Sequence, residues 1–270
     1  VTYSPETGLI PNFLFTGTGP AQPYLNHAQL GIIAYAPEAC KVAVALRKSI
    51  TSLVITLSST GPLAEFKNLE SLDLSESKIY SQGEWSVLRG AGDLEHLDDL
   101  IHCTELTHLN LSGCRSLQNV DVLANCTKLT NLALPWCGSL QNVDGLINCT
   151  KLTDLLLHDC TSVQNMNGLA NCTKLTKLVL SGSKFESLPE GLAGIPELTY
   201  LDLSHCTSLQ NVDGLANCTK LTKLALSGSD NVKPEPYLRT PGLHPRFSSV
   251  MATRKEVVAY QKLIRKTMKK

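Results

Sequence analysis

"LTHLNLSGCRSLQNVDVLANCTK", residues 106–128, governs the reading of the whole chain, because residues 129–151 repeat it as "LTNLALPWCGSLQNVDGLINCTK". Leu106, Leu129, Leu152, Leu175, Leu198 and Leu221 open successive copies, a period of 23 residues. In the first copy the apolar positions are Leu106, Leu109, Leu111, Cys114, Leu117, Val120, Leu123 and Cys126. The opening LxxLxL alternates, which predicts a short strand with its leucines on one face. The later apolar residues recur every third position, the period of a 3₁₀ turn or similarly tight segment. A strand and a return of this length cannot bury their own apolar edge, but parallel stacking of many such units can.

The pattern resembles the leucine-rich-repeat family, and the resemblance covers about residues 50–232. It implies an α/β repeat fold: a horseshoe-shaped solenoid with a parallel β-sheet on the concave face, short 3₁₀ or irregular convex segments, and a helical cap at each end. The copy opening at Leu175, "LTKLVLSGSKFESLPEGLAGIPE", departs from its siblings. There Leu188-Pro189 appears and Ile195 replaces the cysteine, which looks like the LPxxLxxL form of bacterial leucine-rich-repeat effector proteins.

Outward from the repeats, three segments follow. Residues 1–49 form an N-terminal arm and capping helix: 1–36 are rich in Gly and Pro and read as irregular, and "PEACKVAVALRKS" (37–49) reads as the helix, with Pro at its start. Residues 50–236 are the repeats, opening on a degenerate copy, "ITSLVITL" (50–57), and interrupted by an insertion at 80–93 that carries Trp85. Residues 237–270 end in a basic C-terminal capping helix, with Val257, Tyr260 or Gln261, Ile264 and Met268 near one face; the alternative is a basic helix that docks on an acidic partner or a membrane surface. Met does not open the chain; Val1 reads as the start of a trimmed or processed protein.

Lys+Arg and Asp+Glu are both 24, so no net field points to nucleic acid. Nine basic residues against one acid in 237–270 leave the remainder acidic. No apolar run is long enough to span a membrane. Cys103, Cys114, Cys126, Cys137, Cys149, Cys160, Cys172, Cys206 and Cys218 keep the phase of the leucines, so they read as small buried hydrophobes rather than a disulfide framework, and imply a reducing cytosol. Asn125, Asn148, Asn171 and Asn217 match the glycosylation sequon, but their phase suggests a structural role in the turn.

The copies disagree where side chains are expected to face solvent. The positions after the third leucine read Ser112-Gly113, Pro135-Trp136, His158-Asp159, Ser181-Gly182, Ser204-His205 and Ser227-Gly228. Strand positions vary too, giving Asn131, Asp154, Leu156, Tyr200 and Asp202. With strands about 4.8 Å apart, these residues form a patch roughly 15–20 Å across. An exposed Trp among Tyr, His, Asp and Leu has the composition of a protein-binding hot spot. The expected partner-binding set is therefore Trp136, Pro135, Leu156, His158, Asp159, Tyr200, Asp202, His205, Asp154 and Asn131, with Trp85 if the insertion folds over the edge. The alternative for Trp136 is a cover over the core's edge.

His158, Asp159, Asp202 and His205 have metal-binding chemistry, but an open sheet implies no pocket to exclude water, so no metal or other cofactor is expected. Nucleophile and phosphate-loop motifs are absent. The sequence therefore points to a non-enzymatic interaction module, monomeric when free, whose concave face binds one folded protein. The resemblance implies a bacterial effector secreted into a host-cell cytoplasm, which inhibits an enzyme by occlusion if its partner is one. The alternative is a substrate-recognition arm of a ubiquitin-ligase complex.

Overall fold

The computed structural model describes residues 68–74, 94–188, 192, 195–229, 231–232, 250–251 and 253–269, with the backbone of six further short strands. Ten strands join one sheet: β3 (Ile33–Ala34), β4 (Ser52–Ile55), β5 (Ser71–Asp73), β8 (His108–Asn110), β9 (Asn131–Ala133), β10 (Asp154–Leu156), β11 (Lys177–Val179), β12 (Tyr200–Asp202), β13 (Lys223–Ala225) and β14 (Val250–Met251). All neighbours are parallel except β13 and β14. The sheet is open, as a solenoid requires. Among the described residues, return segments contain 3₁₀ helices at Asp98–His102, Asp121–Asn125, Asp144–Leu146, Asn167–Leu169 and Asp213–Asn217.

The leucine columns form one continuous core, and Leu106, Leu111, Leu129, Leu134, Leu152 and Leu175 are wholly buried. A second ordering device runs beside them. Thr130, Thr153, Thr176, Thr199 and Thr222 each point Oγ1 at the carbonyl of the threonine 23 residues earlier, at 2.9–3.1 Å. The same carbonyls accept two backbone N–H groups, so each threonine rung ties two copies together three times. The sequence reading overlooked this column because Thr is neither apolar nor variable.

The cysteines form two buried columns that do more than fill space. Cys137, Cys160 and Cys206 donate to the carbonyls of Leu111, Leu134 and Leu180 at 3.2, 3.0 and 3.3 Å. Ser229 takes the same role in the last copy, its hydroxyl 2.7 Å from the Leu203 carbonyl. The nine described cysteines are free and buried. Burial raises Cys126, Cys172, Cys206 and Cys218 to about 11 and Cys149 to about 12. Hydrogen bonding with Cys160, then burial, pushes Cys137 up as well. An unfolded thiol ionises near 8.5. Below that pH both states hold the proton and the stability is intact; above it only the unfolded state loses the proton. Stability is therefore expected to fall as pH rises from about 9 to about 11. Urea unfolding across that range checks this, and a flat midpoint would contradict it.

The 14-residue insertion leaves the stack undisturbed. Ser71 of β5 pairs with His108 of β8, and the Thr107 hydroxyl donates to the Glu70 carbonyl 37 residues away, which is one period plus the insertion. The inserted chain forms an antiparallel hairpin, β6 (Lys78–Ser81) with β7 (Glu84–Val87), which begins two residues before the expected boundary. Residues 1–36 also depart from an irregular arm: β1 (Ile10–Pro11) pairs with β2 (Tyr24–Leu25), and β3 extends the main sheet. The helix expected at 37–49 lies outside the described residues.

At the other end, α1 (Arg254–Thr267) imitates a further repeat. Thr253 and Glu256 close its N-terminus with reciprocal hydrogen bonds, and Val257, Tyr260 and Ile264 bury their side chains. Inside the stack, Asn148 and Asn171 donate to the carbonyls of Ala124 and Ile147, and Cys149 and Cys172 to those of Leu123 and Leu146. For the copy that opens at Leu198, the corresponding carbonyls are met from α1. Arg265 instead donates to Ala216, and the buried Gln261 Nε2 donates to Leu215 and Cys218 at 2.8 and 2.9 Å. Strand β14 covers the sheet edge that β13 would otherwise expose. Gln261→Leu strands two carbonyls and is expected to lower stability by about 1–3 kcal/mol. Denaturant unfolding checks this, and an unchanged midpoint would show that water supplies the missing donors.

Candidate functional site

The strands are only three residues long, so the variable residues divide into two rows. Asn131, Asp154, Leu156, Tyr200 and Asp202 lie within strands, half-buried on the open face of the sheet. Trp136, Asp159 and His205 do not. They sit three residues past their strands, on the turn, and all three are exposed. The expected patch is thus made of a strand row and a turn row.

The backbone explains why glycine is the default on the turn. Gly113, Gly182 and Gly228 have φ of 81°, 74° and 73°, in the left-handed region. Trp136, Asp159 and His205 hold the same conformation, at 60°, 58° and 58°. A left-handed residue with a Cβ costs roughly 1–2 kcal/mol. Three of six copies therefore carry strain that glycine would remove.

The strained side chains lean along the stack. A Cβ on Gly182 would lie 2.2 Å from Asp159 Oδ1, and one on Gly228 would lie 2.6 Å from His205 Nδ1. Each bulky turn residue thus occupies the space that the next glycine leaves open. Trp136 meets His158 instead, edge to face, with ring centroids 4.8 Å apart and planes at 87°. This pair holds the indole outward, with 53% of Trp136 still exposed, so it does not cover the core's edge.

Other expected site residues have structural duties. Pro135 is buried, its carbonyl accepting from the Gly113 N–H at 2.8 Å, so it leaves the contact set. Asp202 accepts from the Ser204 N–H at 2.9 Å and shapes the turn after β12, as Asn110 does for Ser112. Asp154 accepts from the Thr153 hydroxyl at 2.7 Å and lies in register with Lys177 on the next strand. Tyr200 stays half-buried, and partial burial and then the Asp202 charge raise its phenol above the ordinary range. The Trp85 side chain lies outside the described residues.

Two grooves flank these rows. One of about 300 Å³ crosses the open face, lined by residues of five strands that include His108, Asn131, Asp154, Leu156 and Lys177. A larger polar groove of about 1000 Å³ lies away from the strands. It opens where the Leu175 copy slips by one residue. Gln164 N–H bonds to Gln141 in the regular ladder, but Gln210 N–H reaches Glu186 rather than Ser187. Phe185 and Leu188 then turn into the core. Gln, Ser and Thr residues line most of this groove, together with Val163, Lys184, Phe185 and Glu186. Among the described residues no group of three or more His, Cys, Asp or Glu could hold a metal, and no helix is long and apolar enough to cross a membrane.

The 23-residue units, the parallel open sheet and the continuous leucine core define a leucine-rich-repeat fold. A leucine-rich-repeat protein of Leptospira interrogans is similar at TM-score 0.50 and 18% identity, over 72% of this chain and 56% of that one. An internalin of Listeria monocytogenes gives 0.45 and 21%, over 68% and 63%. The leucine-rich-repeat domain of a type III effector gives 0.48 and 18%, over 72% and 70%. The chain therefore spans less than two thirds of the internalin and of the Leptospira protein. No protein-family model and no curated protein sequence matches it.

Proposed function

We propose that this chain is a non-enzymatic binding module that grips one folded protein along the open face and turn row of its sheet, with Trp136 as the anchor. One observation carries the reading: an indole half in solvent is held at a strained left-handed turn where sibling copies have glycine. Strain of this kind collects at functional sites. An exposed tryptophan anchor typically supplies 2 kcal/mol or more of binding energy, about thirtyfold. His158 and Asp159 flank the anchor, Leu156 and Asn131 supply the groove beside it, and Tyr200 and His205 extend the contact toward the C-terminal copies. Inhibition follows by occlusion when the partner is an enzyme whose cleft admits the indole. The LPxxLxxL copy supports an effector role in a host-cell cytoplasm, and the free thiols suit that compartment.

Affinity purification with mass spectrometry tests this directly, using the wild-type chain and its Trp136→Gly form. At least one protein captured by the wild type is expected to be lost by the variant. Identical capture by the two forms would remove Trp136 as the anchor.

A further inference from the structure

We propose that the outer face of α1 is a docking surface for an anionic phospholipid membrane. It includes no residue of the turn row or of the open sheet face.

The helix sorts its cations by side. Arg254 and Arg265 reach inward: Arg254 donates to the carbonyls of Leu221 and Thr219, and Arg265 to that of Ala216, so both hold the helix to the stack. Val257, Tyr260, Gln261 and Ile264 are buried on the same inner side. Lys255, Lys262 and Lys266 are exposed, and their helical spacing sets them on one outer face with Ala259 between them. Lys269, also exposed, follows just past the last turn. Nothing nearby neutralises this face. Glu256, the only acid of α1, is closed onto Thr253 at the N-terminus. Among the described residues no carboxylate lies within ion-pair distance of these four lysines. The solenoid treats lysine differently: Lys128 and Lys220 each pair with a glutamate of the preceding copy, Glu105 and Glu197.

An apolar side chain stands beside the charges. Leu263 borders Lys262 and Lys266 and is 42% exposed. Nucleic-acid phosphates would satisfy the lysines and leave Leu263 in water. A lipid surface meets both, its headgroups drawing the ammonium groups and its acyl boundary taking the leucine. The use of lysine points the same way. Arginine presents a rigid fork that suits a shaped partner, whereas lysine is a point charge on a flexible stem and suits a fluid layer of headgroups. Here the arginines are spent on the stack and the lysines face out.

Co-sedimentation of the full chain with vesicles tests this, using phosphatidylcholine alone and phosphatidylcholine mixed with phosphatidylserine. The wild type is expected to pellet with the mixed vesicles only, and to be released as salt rises. Each lysine near an anionic leaflet contributes roughly fivefold in binding, so joint substitution of Lys255→Gln, Lys262→Gln and Lys266→Gln should weaken it about a hundredfold. Circular dichroism and melting of that variant should stay near wild type, because the three side chains face solvent. Leu263→Ser should weaken binding about threefold, and Trp136→Gly should leave it unchanged. Equal pelleting with both vesicle types, no pelleting with either, or undiminished pelleting of the triple variant would overturn the proposal. Loss in Trp136→Gly would move the contact to the turn row and overturn the assignment to α1. A single-stranded RNA bound more tightly than the mixed vesicles, and equally by Leu263→Ser, would give the face to nucleic acid and overturn it too.

Discussion

Gly145→Ala is expected to lower the unfolding free energy by about 3 kcal/mol, the upper range for overpacking a rigid site. A Cβ there would lie 1.9 Å from the Val120 carbonyl oxygen, 2.5 Å from its carbon and 2.7 Å from Asp121 Cα. All three are backbone atoms of the preceding copy, so no rotamer change relieves the clash. Gly168 stands in the same relation to Val143, 1.9 Å from its oxygen, and Gly168→Ala should behave alike. Gly138 and Gly214 supply the controls. Nothing lies within 4 Å of a Cβ on Gly138, and one on Gly214 meets only the Leu188 side chain, at 3.7 Å. Alanine there should be neutral or stabilising by up to about 1 kcal/mol, since it restricts the unfolded chain. Urea unfolding of the four variants reads the contrast. If Gly145→Ala and Gly138→Ala unfold within about 0.5 kcal/mol of each other, the copies are not packed this closely and the account of the stack fails.

Substitutions of Trp136 should separate binding from stability. Both Trp136→Ala and Trp136→Gly remove the indole, so both are expected to weaken a partner at least tenfold. Both also lose the ring contact with His158, worth about 0.5–1.5 kcal/mol. They differ in the Cβ alone. Alanine keeps the left-handed strain and glycine relieves it, so the glycine form should be the more stable by about 1 kcal/mol. Binding would then follow the ring while stability follows the Cβ. Equal melting of the two variants would mean that the turn relaxes at no cost and that its strain says nothing about function.

The leucine columns, the thiol columns and the size of the insertion were legible in the sequence because burial repeats with the chain. The departure at Trp136 was legible for the same reason: it breaks a column. What it breaks was not. Residue 136 lies past the third leucine, beyond the strand that ends at Ala133, and the Gly column is there for a left-handed turn. Recurrent Gly113, Gly182 and Gly228 carried that signal, and reading them as merely small missed it. Pro135 stood out only as an off-pattern residue after the third leucine, and its place beside Leu134 on the turn buries it. Asp202 looked free because pairing to its own turn leaves no mark in composition. The part played by Gln261 was also hidden, since it joins carbonyls more than 40 residues away and no period relates them.

The threonine rungs have a consequence for how such a chain can change length. Thr130 bonds back to Thr107, and Thr153 bonds back to Thr130, each across 23 residues. Excising residues 129–151 would bring Thr153 onto Thr107 with the same partners on either side, and would carry the tryptophan away with the excised block. The molecule is therefore modular at the scale of one turn: whole copies can be gained or dropped without disturbing their neighbours, and a recognition element can travel with the copy that bears it.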